Sequence, residues 1–113
     1  MYRKEVFLKL YREMEVWFDY IYPTLKNFPR YEQPSSAARI KDISHSIMAR
    51  LLHAYETTSK RKANLRDNIA DVYILVSLWN FAYRHRFVNQ EFHNDVIYKL
   101  NVISHNHREL LSG

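Results

Sequence analysis

The chain has 113 residues, 47% of them hydrophobic, and its 17 Lys and Arg against 12 Asp and Glu give a formal net charge of +5 at pH 7. This length predicts a single domain over residues 1–113, and this hydrophobic content excludes a disordered chain. There is no cysteine and only one glycine, Gly113, which excludes disulfides, thiolate zinc sites and glycine-rich phosphate loops. With no signal peptide and no membrane-spanning run, the sequence predicts a soluble, cytoplasmic protein without a membrane partner.

The first predicted helix runs from about Arg3 to Lys26. Its apolar residues recur at spacings of three and four, which places them on one face of a helix. This stripe consists of Phe7, Leu10, Met14, Trp17, Ile21, Leu25 and Phe28. Pro23 lies inside the pattern and is expected to kink or locally break the helix near Tyr22, and Pro29 is expected to end it.

The second predicted helix begins at Ser35 or Ser36, whose hydroxyl is expected to cap its first turn. The apolar stripe of this helix consists of Ile40, Ile43, Ile47, Leu51 and Ala54. The helical pattern fades at Thr57 and Thr58, since β-branched polar residues weaken helix preference.

Ser59 is expected to cap the third helix. The main apolar stripe of this helix consists of Leu65, Ile69, Val72, Val76, Trp79 and Tyr83, and a second stripe beside it consists of Tyr73, Leu75 and Leu78. A helix that is apolar over so much of its circumference is expected to be the most central one or to pack against another subunit.

Asn89 is expected to cap the fourth helix. The apolar stripe of this helix consists of Phe92, Val96, Leu100, Ile103, His107 and Leu110. The breaks between the four segments are short, and short connections between long helices make neighbours antiparallel. The sequence therefore predicts an all-α, antiparallel up-and-down four-helix bundle. Because the core of such a bundle is filled with side chains, function is expected to come from its surface.

The densest positive charge in the chain is Lys60-Arg61-Lys62, with Arg66 one turn further on. Cations at a helix start oppose the macrodipole, so this placement is easier to understand if the site meets phosphates, which favour helix N-termini. A solvated charged turn is the alternative.

The polar face of the second helix carries Arg39, Arg50 and His53, which share approximately one side. In an antiparallel bundle the end of the second helix lies beside the start of the third, so Arg50 and His53 are expected to join the basic turn in one patch, with Tyr55 available to stack on a base. Ordinary solubilising charge is the alternative. The predicted nucleic-acid-binding residues are Arg39, Arg50, His53, Lys60, Arg61, Lys62 and Arg66.

Neither a metal site nor a cofactor is predicted, although the chain has six histidines. His105 and His107 are two residues apart on a helix and point in different directions, and no Glu-x-x-His pair is present. No spacing typical of a Ser-His-Asp triad is present either, so no catalytic residue is assigned.

One enzymatic alternative is a HEPN-type ribonuclease, a small helical bundle that uses an Arg followed a few residues later by a His. Arg39 with His45, and Arg86 with His93, both fit that spacing. The histidine would act as general acid or base while the arginine held the scissile phosphate. In neither pair is the Arg followed by the polar residue usual in that family.

Short motifs along the chain resemble those of the Avd-like four-helix-bundle proteins. The matching segments are Tyr20-Ile21-Tyr22-Pro23 with Phe28-Pro29-Arg30, then Ala38-Arg39-Ile40, then Leu65-Arg66-Asp67 at the start of a long apolar helix. In that family a Leu/Tyr-Pro turn and a Phe-Pro-Lys/Arg signature precede a second helix with Glu-Arg-Ile, and the third helix opens with a Leu-Arg-Glu-Ala-like segment. The resemblance covers residues 7 to 107.

The resemblance implies an accessory variability determinant of a diversity-generating retroelement. Such a protein is not catalytic; it forms a basic homo-oligomer, a pentamer, that binds template RNA and the element's reverse transcriptase and supports mutagenic cDNA synthesis. DNA is an alternative nucleic-acid ligand. Arg39 and Arg66 are the matched basic positions, and the cations at 60–62 lie in the corresponding turn by location only.

The chain departs from the family near its C-terminus. Where the family often ends with Gly-Gly-Trp, this sequence reads His105-Asn106-His107. Near relatives include the four-helix-bundle proteins encoded in ribosomal RNA intervening sequences, whose role is obscure. An interaction protein of that kind, which binds only protein, is therefore the main alternative to an RNA-binding accessory protein.

Overall fold

The computed structural model describes residues 4–112, which fold into four α-helices joined by short connections. Helix α1 spans Lys4–Leu25, α2 spans Ala38–Glu56, α3 spans Arg61–Arg84 and α4 spans Gln90–Ser112. Each helix packs against the next one in the chain, and α4 packs against α1, so the helices close around one core. The predicted four-helix bundle is confirmed for these residues. The predicted first helical residue, Arg3, lies outside them.

The apolar stripe predicted for α1 forms one wall of the core. All seven of its residues are buried: Phe7, Leu10, Met14, Trp17, Ile21, Leu25 and Phe28. At the centre, Trp17 meets Trp79 of α3 edge to face, with ring centroids 6.5 Å apart. Phe28 and Phe92 pack against the same Trp79 ring at 5.7 Å and 5.9 Å. Aromatic side chains from four parts of the chain therefore share one cluster, in edge-on and tilted arrangements, of which the edge-on one is preferred by such rings.

The predicted helix break near Tyr22 is not present, because α1 continues through Pro23 to Leu25. Pro23 lies in the last turn and is exposed, as is Asp19, whose carbonyl would have accepted the missing amide bond. That carbonyl can bond to water instead. The helix ends two residues later, where the amide of Phe28 bonds to the carbonyl of Leu25.

The serine cap predicted for α2 is wrong. Residues Gln33–Ala37 form a π-helical turn that leads directly into α2, so the residue at the cap position, Ala37, is itself helical. The hydroxyl of Ser36 donates to the Glu32 carboxylate instead of capping the helix. The side-chain amide of Gln33 donates to the carbonyls of Leu25 and Phe28, at 2.9 Å and 3.0 Å, and so ties this turn to the end of α1.

The other two predicted caps have opposite outcomes. Ser59 does not cap α3, because Thr58–Lys60 form a 3₁₀ turn and no side chain bonds to the first amides of the helix. Asn89 does cap α4, since its side-chain oxygen accepts the amide of Phe92 at 2.8 Å.

The buried face of α3 is rotated from the predicted stripe. Its buried residues are Arg61, Asn64, Leu65, Asn68, Val72, Leu75, Trp79 and Ala82. Of the predicted stripe, Ile69 and Val76 are only partly buried and Tyr83 is exposed. Two asparagines therefore occupy core positions that a hydrophobic pattern does not reveal, and Tyr73 and Ile74 face outward.

The side chain of Asn68 lies at the centre of a buried hydrogen-bond network that links three helices. Its amide nitrogen donates to the carbonyl of Ile47 in α2 and lies 3.2 Å from Nε2 of His107 in α4. Its oxygen accepts from Arg50, which also pairs with Asp71. Nδ1 of His107 is 2.8 Å from the carbonyl of Ile103, so this pattern of partners assigns the proton to Nδ1 and makes Nε2 the acceptor.

Stability is expected to depend on pH through His107. Burial lowers its pKa from the ordinary value of 6.5, against the weaker opposing effects of the Ile103 carbonyl and the Glu13 charge. The unfolded chain therefore binds a proton that the folded chain does not, in the window just below pH 6.5. There the free energy of unfolding should fall as pH falls, by at most about 1.4 kcal/mol per pH unit.

Urea unfolding at neutral pH and at mildly acidic pH measures this effect. The His107→Gln variant should lose part of the wild-type pH dependence, while His105→Gln, on the exposed side of the same helix, should retain it. Equal pH dependence in wild type and His107→Gln would contradict the assignment.

Candidate nucleic-acid interface

The structure places the seven predicted phosphate-binding residues in different environments. Five are exposed: Arg39, His53, Lys60, Lys62 and Arg66. Arg50 is partly buried, and Arg61 is only 7% exposed. The predicted single patch is therefore divided, and each part has to be considered separately.

Arg61 stabilises the fold and does not face solvent. Its Nε donates to the carbonyl of Ala54 at 2.6 Å and its Nη2 to that of Tyr55 at 3.3 Å. Its guanidinium also lies over the ring of Phe7, 5.3 Å from the centroid. Cations that bond to the last carbonyls of a helix satisfy groups that have no intrahelical partner. This placement removes Arg61 from the phosphate-binding surface, contrary to its sequence-based assignment.

Arg50 and His53 lie along the contact between α2 and α3. Arg50 is held by Asp71 and Asn68, so its charge is already paired. Nδ1 of His53 is 3.3 Å from the side-chain nitrogen of Asn64. Of these two, only the exposed His53 is placed to meet a ligand.

Arg39 lies at the opposite end of α2 from the basic turn. It precedes His53 by fourteen residues, which is about 21 Å along a helix. There it borders a cavity of about 310 Å³ together with Arg84 and Ser77 of α3. Arg39 and the cations at 60–66 therefore do not meet.

Lys62 and Arg66 lie on a flank of α3 that points away from α2. Each is two residues from Asn64, which contacts α2, and two residues correspond to about 200° around a helix. Tyr73 follows Arg66 by seven residues, or about two turns, on the same flank. It is 58% exposed, and the guanidinium of Arg108 in α4 lies over its ring, 5.3 Å from the centroid.

We refer to Lys62, Arg66, Tyr73 and Arg108 as the basic strip, with Lys60 in the turn that precedes it. Within residues 4–112, none of these cations forms an ion pair with an acidic side chain. The strip therefore presents unneutralised positive charge beside an exposed aromatic ring, which are the two features that single-stranded nucleic acids bind.

Tyr73 and Arg108 were not assigned to the site from the sequence, although Tyr73 was placed on an apolar stripe. Tyr73 lies near Arg66 because it follows it by two helical turns. Arg108 reaches Tyr73 because α4 packs antiparallel against α3. Tyr55, the aromatic residue predicted for stacking, is partly buried, and Nζ of Lys4 lies 5.1 Å from its ring centroid. It is not part of the basic strip.

The first of the two Arg-His pairs considered for ribonuclease chemistry points in two directions. Arg39 and His45 are six residues apart, which places them about 120° apart around α2. The His45 ring packs beside Phe18 of α1 at 5.0 Å, whereas Arg39 faces α3.

The second pair is divided between a turn and a helix. Arg86 lies in the turn between α3 and α4, at a positive φ of 64°. His93 stacks on Tyr83 at 4.6 Å, and its Nε2 lies 2.8 Å from the side-chain oxygen of Asn80. No hydrogen bond joins Arg86 to His93 within the described residues.

Two further findings concern residues 4–112 only. They contain no group of three or more His, Cys, Asp or Glu side chains arranged to hold a metal ion. None of their helices combines the length and the apolar character needed to cross a membrane.

Comparison of the chain with protein-family models, with curated proteins and with solved structures gave no match in any of the three.

Proposed function

We propose that this four-helix bundle is a non-catalytic RNA-binding protein that holds single-stranded RNA on the basic strip. The observation that carries the proposal is a row of cations without an acidic partner among the described residues, Lys62, Arg66 and Arg108, on one flank of the bundle with the exposed ring of Tyr73, over which the Arg108 guanidinium lies. Lys60 extends the positive surface of the strip at its N-terminal end, and the exposed His53 lies at the same end of the bundle on α2. Arg50 and Arg61 have internal partners and take no part.

The strip combines cations with an exposed aromatic ring, so it suits RNA, which has both phosphates and bases, better than a polyanion that has no bases. Lys and Arg side chains neutralise phosphates and release counterions, while an exposed aromatic ring gives a base a face on which to stack. Arg108 already lies over one face of Tyr73, so a base would stack beside it or replace it. DNA single strands present the same phosphates and bases and are the alternative ligand.

The resemblance to Avd-like proteins supports a cellular role for this binding. Arg66, one of the two matched basic positions, lies on the basic strip, while the other, Arg39, lies at the far end of α2. Within the proposal, the bundle is an accessory protein of a retroelement reverse transcriptase that presents template RNA for cDNA synthesis. The reverse transcriptase partner and the pentameric assembly remain predictions from that resemblance.

Removing the charges of the strip tests the proposal. The triple variant Lys62→Ala, Arg66→Ala, Arg108→Ala should bind an unstructured oligouridine more weakly. The slope of log affinity against log salt should also become shallower by about 2, since each lost phosphate contact on a single strand contributes about 0.7. A matched variant, Lys26→Ala, Arg30→Ala, Arg84→Ala, removes three exposed cations from the other end of the bundle and should leave affinity nearly unchanged.

Replacing Tyr73 separates base stacking from charge in the same assay. Tyr73→Ala should weaken oligouridine binding roughly 5- to 150-fold, the effect of losing one stacked base, without changing the salt slope. Tyr31→Ala, which removes another exposed tyrosine, is the control. Equal losses from both triple variants would show that the strip is not the site. An absence of RNA binding in the wild type would instead favour a bundle that binds only protein.

A further inference from the structure

An open apolar groove runs between α1 and α4. It encloses about 530 Å³, with the buried side chains of Trp17 and Ile103 among its lining. Three apolar residues at its edges are exposed: Tyr98 is 67%, Val16 59% and Val102 38% accessible. The charged side chains that also line it are Lys9, Arg12, Glu13 and Lys99. Apolar groups gathered in one exposed patch mark an interaction surface, whereas single exposed apolar residues do not.

The outer face of α1 beside this groove has an asymmetric distribution of charge. Between residues 9 and 19, the cations Lys9 and Arg12 come first, and the carboxylates Glu15 and Asp19 come next, on either side of Val16. Of these five, Lys9, Arg12 and Val16 line the groove. All five side chains are exposed. None of these four charged groups forms an ion pair or hydrogen bond within the part of the chain that the structure describes.

This distribution of charge is complementary to a second copy of itself. Two α1 helices can lie antiparallel, related by a two-fold axis that passes beside the middle of each helix. In that arrangement Lys9 of one copy lies at the same level as the partner's Asp19. Arg12 then lies beside the partner's Glu15 and Val16, and the same contacts recur on the other side of the axis. A parallel arrangement would place Lys9 against the partner's Lys9, so only the antiparallel one pairs unlike charges.

We propose that two copies of this chain, instead of the five that the resemblance to Avd-like proteins implies, pair through the groove between α1 and α4, with their α1 helices antiparallel about a two-fold axis. The pairing covers Val16, Tyr98 and Val102 and joins each Lys9 to the partner's Asp19. The proposal is independent of RNA binding, because Lys62, Arg66 and Tyr73 lie on α3, which is diagonal to α1 in the bundle. Arg108 of α4 lies over Tyr73 and does not line the groove.

The decisive test exchanges the charges at Lys9 and Asp19. The molecular mass of each variant in solution is measured by analytical ultracentrifugation. The wild type should have twice the monomer mass of 13.8 kDa. Lys9→Asp alone, and Asp19→Lys alone, each create two like-charge contacts and should raise the dimer dissociation constant about ten-fold or more. The double variant Lys9→Asp, Asp19→Lys recreates both unlike pairs in reverse and should restore the dimer.

The apolar part of the interface is tested separately. Val16→Asp should give a monomer, whereas Ile74→Asp, at an exposed apolar position on α3, should leave the dimer intact. Circular dichroism checks that each variant is folded. A wild-type protein with the mass of a monomer or a pentamer would overturn the proposal. So would a double variant, Lys9→Asp with Asp19→Lys, that remains monomeric. RNA binding by a monomeric wild type would leave the proposed function standing while this pairing failed.

Discussion

Replacing Trp79 with alanine is expected to lower the free energy of unfolding by about 3–5 kcal/mol. The Trp79 side chain is fully buried and its ring touches Trp17 of α1, Phe28 in the connection and Phe92 of α4. Deleting it removes the contacts that join three parts of the chain and leaves a cavity, because the surrounding rings can collapse only partly.

Urea unfolding measures this loss, and two variants sharpen it. The indole nitrogen of Trp79 has no hydrogen-bond partner among the described residues, so Trp79→Phe removes an unsatisfied donor and should cost far less than Trp79→Ala. Tyr31→Ala removes an aromatic side chain that is 71% exposed and should change stability by about 0.5 kcal/mol or less. Similar losses from Trp79→Ala and Tyr31→Ala would show that the aromatic cluster does not hold the bundle together.

Replacing Asn68 with alanine is expected to lower the free energy of unfolding by roughly 2–4 kcal/mol. Its side chain is fully buried and bonds to partners on both α2 and α4. Without it, Nε2 of His107 is left as a buried acceptor with no donor, and Arg50 loses one of its two acceptors. Leaving buried polar groups unpaired is costly, because they give up water without gaining a partner.

The control for Asn68→Ala is Asn101→Ala on the exposed face of α4, which should be nearly neutral. A double-mutant cycle with His107→Leu tests the network itself. Because His107→Leu removes the orphaned acceptor, the two substitutions together should cost less than the sum of their separate effects, by about 0.5–3 kcal/mol. Strict additivity would show that Asn68 and His107 do not act together.

The helices and most of the core could be predicted because they depend on local periodicity. The stripe from Phe7 to Phe28 lies on one face at helical spacing and is buried throughout. The Asn89 cap was predicted because it depends on a residue three positions away. The serine cap of α2 was wrong because Ser36 has a competing partner in Glu32, and the π-helical turn that brings the two together has no simple sequence signal.

The face of α3 and the division of the basic residues could not be predicted from periodicity. Asn68 is buried because partners on two other helices satisfy it, and those partners are distant in sequence. Arg61 turns inward to the carbonyls of Ala54 and Tyr55, a contact that depends on how α2 meets α3. The positive charge was visible in the sequence, but which cations are free to bind a ligand depended on the packing of the helices.

The measurement that tests the RNA-binding proposal most directly is the affinity of the wild-type protein for an unstructured oligouridine across a salt series, with the RNA length followed in the same samples. We expect log affinity to fall linearly with log salt, with a slope of about −2 to −3, as neutralisation of three or four phosphates on a single strand requires. The RNA should remain intact. No binding at low salt, or an affinity that does not change with salt, would contradict RNA recognition by the basic strip, and shortened RNA would contradict a non-catalytic protein.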